Sequence, residues 1–408
     1  MATSDSPTYI RDVAPLVEAK CVNCHTDGGI APFALETYEH VAALKEAVKA
    51  AVVARTMPPW LAAKGCSDYL GDISLSDEQI DMLSRWVDAG APQGDPSDSP
   101  VPVANERVSL SRVDLTLPMP VAYTQQNFPD DYRCFFLDWP GTETTYATGF
   151  GIAPGNESIV HHVIAYVVRP ENAQLFQTLD DADADPGWAC FGGPGGDAGA
   201  GPGSASWLGG WAPGGNGEDF PEGTGIEIPV GAKLVVQVHY NSLKPSPAPD
   251  LTKVLMRTDA SVQKRAAILP FADIQWVIGG KMTIPAHSKD VVHSVATDLT
   301  TVANLMSGGA LQGGKPLTLH SLGIHMHKLG KRSLTRLDRA DGTSECHVDI
   351  PRWNFNWQRN YRFKTPKEFV PGDKLHLECQ WDNLGDQDVN WGESTTDEMC
   401  LAPYYVTE

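Results

Sequence analysis

Apolar positions recur with two different periods along this chain, and the change falls near residue 97. Before it, Tyr9, Ile10, Val13, Leu16 and Val17 repeat at the three-to-four-residue spacing of a buried helix face. Ser76-Asp-Glu-Gln79 has the form of a capping box. It predicts a helix with Ile80, Leu83, Trp86 and Val87 on one face, ended at Gly90. Residues 1–96 are therefore expected to form a small all-α domain. The run from Ala91 to Pro102 is rich in Pro, Asp, Ser and Gly, and a linker is expected over 97–108. Beyond it, short β-branched runs alternate with Gly/Pro turns: Ser158–Val168, Lys233–Tyr240, Asp290–Val295, Leu317–His325 and Lys374–Trp381. Long helical patterns are absent there. Roughly 300 residues of this texture exceed one ordinary sandwich. Two all-β, jelly-roll-like sandwich domains are expected, at 109–268 and 269–408. The Gly-rich stretch 191–217 is expected to form a long loop.

Composition narrows the function classes. A length of 408 residues suits about two to three domains. The net charge of -20 argues against nucleic acid and anionic membrane surfaces and suits docking of a basic redox partner. No apolar run is long enough for a transmembrane helix, so no membrane insertion is expected. The eight cysteines are Cys21, Cys24, Cys66, Cys134, Cys190, Cys346, Cys379 and Cys400. Only the first two form a Cys-x-x-Cys pair, which argues against a zinc ribbon. The start, Met-Ala-Thr-Ser-Asp-Ser, has no basic-then-apolar leader; a native leader replaced by an initiator Met is the expectation.

Cys21-Val-Asn-Cys24-His25 is a c-type haem attachment motif. Its thiols would form thioethers to the porphyrin, and His25 would take one axial position. Met57, in Arg-Thr-Met57-Pro-Pro-Trp60, is the expected second axial ligand, with His40 as its rival. Thioether opposite imidazole raises the potential and closes the iron to oxygen, which suits electron transfer. The surroundings resemble the class I cytochrome c fold. Covalent haem attachment in bacteria is an exported process, so a periplasmic or otherwise exported location is expected, where structural disulfides also form.

The second chemical pattern is spread widely: His161-His162, His239, His325-Met-His327 and Met399. Imidazole combined with thioether suits copper better than zinc or magnesium. His325 and His327 alternate, so both would project from one strand face, with Met326 turned to the core. His161 and His162 are adjacent, so they share one ion only if the strand twists or one binds through Nδ1. Any one of these histidines read singly is more often a core residue, and His320, His347, His376, His287 and His293 are read as structural.

These motifs resemble the type II copper monooxygenases, the family of peptidylglycine α-hydroxylating and dopamine β-monooxygenases. The resemblance covers roughly residues 110–408. It is most specific at Trp353-Asn-Phe-Asn-Trp-Gln358, Val370-Pro-Gly-Asp373 and Thr395-Thr-Asp-Glu-Met399-Cys400. It implies two copper ions: an electron-transfer site at His161, His162 and His239, and a catalytic, oxygen-binding site at His325, His327 and Met399. Gln237 matches a position beside the first site. The resemblance also implies Cys134–Cys190 and Cys379–Cys400 disulfides. Cys66 and Cys346 are left as a bridge between the haem and second copper domains or as two free thiols. Peptide-amidating members hold a peptide carboxylate with polar residues where this chain has Gly323, Leu401 and Pro403. An uncharged small organic substrate is therefore expected.

The sequence thus suggests a copper-dependent monooxygenase, RH + O2 + 2e− + 2H+ → ROH + H2O. A covalent haem c would relay electrons from an external donor. The alternatives are a non-enzymatic electron-transfer or copper-handling protein, and a copper peroxygenase or oxidase.

Overall fold

A computed structural model describes the chain except residues 1–5, 28–30, 105–108, 191–192, 196–203, 214, 216, 243–247 and 393. The chain is mostly β-sheet with few helices, and it divides into two compact units. One comprises Met1–Trp60 and Leu70–Arg107; the other comprises Leu61–Tyr69 and Val108–Glu408.

The first unit is helical. A π-helical turn, Tyr9–Val13, leads into the helix Ala14–Lys20, and the helices Tyr38–Ala43, Lys45–Val53 and Asp77–Asp88 follow. The capping box forms as the sequence predicts: Gln79 N–H donates to Ser76 Oγ at 3.2 Å, and Ser76 N–H donates to Gln79 Oε1 at 2.9 Å. Gly90 adopts φ +87° just past this helix, where only glycine is at ease. Leu83, Trp86 and Val87 are buried against Tyr9, Val13, Leu16 and Val17. Burying this stripe, rather than helix propensity, stabilises such short helices.

The second unit is built from sheets. A five-stranded sheet runs in the order Trp188–Ala189, Asp130–Asp138, Lys233–Asn241, Val160–Val168, Ser206–Trp211. A four-stranded antiparallel sheet runs Ser288–Thr297, Lys374–Asn383, Gly330–Asp338, Ser344–Ile350. A larger sheet draws its strands from both of these parts of the sequence. Its strand Lys264–Phe271 pairs antiparallel with Ala402–Thr407 and parallel with Thr224–Ile228. The expected domain boundary at 268/269 falls inside this strand, because its two edges are satisfied by partners from either side of it. Leu137, Phe150, Val163, Leu208, Val236 and Met256 form one apolar core beneath the five-stranded sheet.

Two local expectations are corrected. The Gly-rich stretch is not wholly loop: Ser206–Trp211 is a strand paired with Val163–Val167, since Trp207 and Leu208 supply side chains that pack despite the neighbouring glycines; residues 191–192, 196–203, 214 and 216 lie outside the described residues. Ala173–Ala182 is a helix within the β region, anchored by fully buried Phe176.

The six cysteines other than Cys21 and Cys24 form three disulfides: Cys66–Cys346, Cys134–Cys190 and Cys379–Cys400. The first bridges residues 280 apart in sequence. It fixes the Leu61–Tyr69 segment, where Ala63 N–H donates to Asp349 O (2.8 Å), Ser67 Oγ to Cys346 O (2.8 Å) and Tyr69 OH to His347 O (2.6 Å).

Candidate metal centre

His239 lies on the central strand of the five-stranded sheet and faces His162 directly across the ladder. The next paired residues are Tyr240 and Val160, so His161 is skipped. It is the extra residue of a β-bulge. A bulge re-aims its side chain, which resolves how adjacent strand residues meet one point: the ligand atoms of His161, His162 and His239 lie within 4.8 Å of one another. His239 is fully buried, with Tyr132 stacked on it at 4.1 Å. Its Nε2–H donates to Asp130 Oδ1 at 2.9 Å, which leaves Nδ1 bare, 3.1 Å from His162 Nδ1. His161 Nδ1 is buried with no hydrogen-bond partner.

His325 and His327 sit just beyond the strand Leu317–Gly323. His325 N–H donates to Leu401 O at 2.8 Å, and Leu401 N–H donates back to His325 O at 3.1 Å, which brings the chain around Met399 alongside. Met399 is buried, and the Cys379–Cys400 bridge pins the residue after it. Met326 is fully buried, as the alternation predicts. Each imidazole commits its Nδ1–H: His325 to Gln358 Oε1 (2.5 Å) and His327 to Asp397 O (3.0 Å). Both Nε2 atoms are therefore lone-pair acceptors, and they face each other at 3.1 Å. Two buried acceptors at that separation repel unless a cation lies between them. The spacing also suits two nitrogens each about 2.0 Å from a shared ion at a near-tetrahedral angle. Orientation of each ring by an outer acceptor is the usual arrangement for metal-ligating histidine.

Electrostatics keep these rings neutral, the form that ligates. Burial pushes His161 down to about 4 and His327 to about 3, each helped by a neighbouring imidazole. Burial also lowers His162 and His325, and lowers His239 against the opposing pull of Asp130. Burial alone would raise the Asp130 carboxyl. Hydrogen bonds from His239, Thr395 and Asn241 outweigh it and hold the group well below the usual carboxylate range.

The two histidine groups are neighbours. The His162 and His325 rings are 6.2 Å apart. Phe355 stacks on His161 at 5.0 Å and meets His327 edge-on at 5.9 Å. Glu398 is fully buried beneath the second group, where its carboxylate accepts from His327 N (2.9 Å), Leu329 N (2.6 Å) and Trp381 Nε1 (2.8 Å). Burial pushes its pKa up to about 7, although the hydrogen bonds from its surroundings favour the anion. Gln237 is buried and donates to Cys190 O at 2.9 Å, tying the strand to the Cys134–Cys190 bridge. At the positions where the carboxylate-holding residues are expected to be missing, Pro403 lies 3.2 Å from where a side chain on Gly323 would begin, and Leu401 is half-buried.

Asp130, Thr395, Gln358, Tyr132, Phe355 and Glu398 were not singled out by chemistry in the sequence. Gln358, Phe355, Glu398 and Thr395 do lie inside two of the three quoted stretches, 353–358 and 395–400. Asp130 opens a strand as one of two adjacent aspartates and carries no such signal.

In the helical unit, Cys21 and Cys24 are the two cysteines outside the disulfides. They lie in a turn directly after Ala14–Lys20, where His25 N–H donates to Cys21 O at 3.0 Å. His25 Nδ1–H donates to Phe33 O at 3.1 Å, leaving Nε2 for a ligand. Met57 follows the helix Lys45–Val53, and His40 is exposed on the helix Tyr38–Ala43.

Residues 265–407 match the family model described as the C-terminal domain of copper type II ascorbate-dependent monooxygenases. That span contains His325, His327 and Met399. Human "DBH-like monooxygenase protein 1" is 29% identical over 96 residues, which is 23% of this chain and 16% of the human protein. The chain thus matches about a sixth of that relative's length. Among solved structures, one titled "Structure of infectious bursal disease virus Gt strain" covers 76% of this chain and 75% of its own, at 11% identity and TM-score 0.18. The subviral particle of that virus's VP2 covers 72% and 69%, at 11% identity and TM-score 0.18. Likenesses that low carry no argument about this fold.

Proposed function

We propose that the chain is a copper-dependent monooxygenase that hydroxylates a C–H bond of a small uncharged organic substrate with O2. The observation that carries this reading is the pair of bare Nε2 atoms of His325 and His327 facing each other at 3.1 Å, inside the span matched by a copper monooxygenase model. His161, His162 and His239 would hold a second copper as the electron-transfer ion. Met399 would complete the catalytic group, because a soft thioether favours the reduced metal.

Copper, when bound, supplies the one-electron chemistry that oxygen activation needs. The chain's own residues do the rest. Gln358 and the Asp397 carbonyl fix the His325 and His327 tautomers, Asp130 fixes His239, and Glu398 anchors the backbone on either side of His327. Leu401 and Pro403 leave the neighbourhood without the charge that would hold a peptide carboxylate.

Cys21, Cys24, His25 and Met57 would hold a covalent haem c in the helical unit; what supports this is that His25 already spends its Nδ1–H on a carbonyl. A haem on the same chain raises the donor's effective concentration over a diffusing reductant; an external donor would reload it. Three disulfides suit an oxidising, exported compartment. Within 109–408, the regions 109–268 and 269–408 would carry one copper each.

The test is His325→Ala in the copper-loaded, haem-loaded chain. Substrate-coupled oxygen uptake is expected to vanish while the haem spectrum is unchanged. Undiminished coupled uptake would refute the role given to His325.

A further inference from the structure

The segment carrying Met399 is joined to the His239 strand by one carboxylate. Asp130 Oδ1 accepts from His239 Nε2 (2.9 Å) and from Asn241 Nδ2 (2.7 Å). Asp130 Oδ2 accepts the Thr395 hydroxyl at 2.6 Å, across 265 residues of sequence. Thr395 is buried, and Lys328, next to His327, reaches the same hydroxyl at 3.5 Å. Both oxygens of Asp130 are thus engaged, one by each histidine group's supporting residues. A charged acceptor makes each of these bonds stronger than a neutral pair would be. Among the described residues, this side-chain link runs from the group that orients His239 into the segment that carries Met399.

We propose that Asp130 is a positioning residue that couples the two histidine groups. Its one oxygen sets the His239 tautomer, and its other oxygen holds the Thr395–Met399 segment against the first site. A change at Thr395 therefore reaches His239 without touching it. The converse holds by linkage: ordering either group lowers the cost of ordering the other. The proposal rests on reading both groups as copper sites. It adds that the Thr395–Met399 segment of one group sets the copper affinity of the other, so the two groups are not independent.

The experiment measures Cu(I) affinity by chelator competition in full-length protein. All proteins carry His325→Ala and His327→Ala, so only the three-histidine group binds in each. Into that background go Thr395→Val, which keeps shape and removes the hydroxyl, Thr395→Ser, which keeps the hydroxyl, Asp130→Asn, and the Asp130→Asn/Thr395→Val pair. Asp130→Asn is expected to weaken binding about 10–100-fold, the usual cost of losing a residue that orients a metal-bound histidine. Thr395→Val is expected to weaken it about 5-fold or more, Thr395→Ser to restore it, and the pair to be no weaker than Asp130→Asn alone. The Cu(II) electron paramagnetic resonance spectrum should shift in Thr395→Val and return in Thr395→Ser.

Wild-type affinity in Thr395→Val, or additive losses in the pair, would overturn the coupling. If the expected pattern is found while no substrate ever couples to oxygen uptake, the coupling stands and the monooxygenase reading falls. If coupled hydroxylation is found and Thr395→Val loads copper normally, the coupling falls alone. If the background protein binds no copper, both fall.

Discussion

Replacing Glu398 by Gln removes one buried oxygen and no volume. Oε2 accepts from His327 N and Trp381 Nε1, and Oε1 accepts from Leu329 N. Whichever way the amide turns, its NH2 points at a group that is itself a donor. The change converts charge-assisted bonds to neutral ones and strands at least one buried N–H; together these cost about 3–5 kcal/mol. The β-rich unit of Leu61–Tyr69 and Val108–Glu408 unfolds with an entropy of about 2.1 cal/mol/K per residue, so its Tm should drop by roughly 5–8 °C. The assay is denaturant unfolding of metal-free protein at pH 8, with the midpoint read at unchanged slope. Burial pushes Glu398 up to about 7, so pH 8 keeps the anion dominant in the folded chain. A loss under about 1 kcal/mol would refute the reasoning, because it would mean that this site holds a neutral carboxyl whose own proton the amide can mimic.

Three further outcomes follow from the geometry. Replacing Cys66 and Cys346 together by Ala should cost about 2–5 kcal/mol and speed amide exchange across 61–69; unchanged exchange there would show that the hydrogen bonds alone hold the segment. Burial lowers His327 and His347 to about 3 and His161 to about 4, while an unfolded imidazole takes its proton near 6.5. The unfolded chain therefore binds more protons, and metal-free protein should lose stability as pH falls from about 6.5 toward 3; a denaturant midpoint that is flat over this window would contradict it. Met399→Leu should remove the sulfur shell from X-ray absorption of Cu(I)-loaded protein and leave the nitrogen shell; a retained sulfur shell would mean another ligand.

The parts of the fold legible in the chain were those set by period and punctuation. Ser76, Gln79 and Gly90 fixed a helix almost to the residue, because capping is a local, chemically specific event. The strands carrying His239 and His161 were readable from β-branched runs between turns, whereas the strand expected to run to His325 stops at Gly323, so His325 and His327 do not share a strand face. The meeting of His161 with His162 was not readable, since it depends on a skipped residue in the ladder that no period reveals. The helix Ala173–Ala182 was missed for a related reason: its one buried anchor, Phe176, gives too weak a periodic signal over 10 residues. At the site, ligand types could be recognised because few residues hold soft metals. Their supports could not, because Asp130 and Thr395 find each other across 265 positions and neither residue type is diagnostic alone.

The staple at Cys66–Cys346 has a consequence for proteolysis. The chain leaves the helical unit at Trp60, contributes Leu61–Tyr69 to the β-rich unit, and returns at Leu70. A cut in the Pro-rich run before residue 108 would sever the backbone there and still leave both fragments on one molecule, migrating together until a thiol is added. The helical unit is thus not a cassette that one nick in that run can release: shedding it there takes both a protease and a reductant.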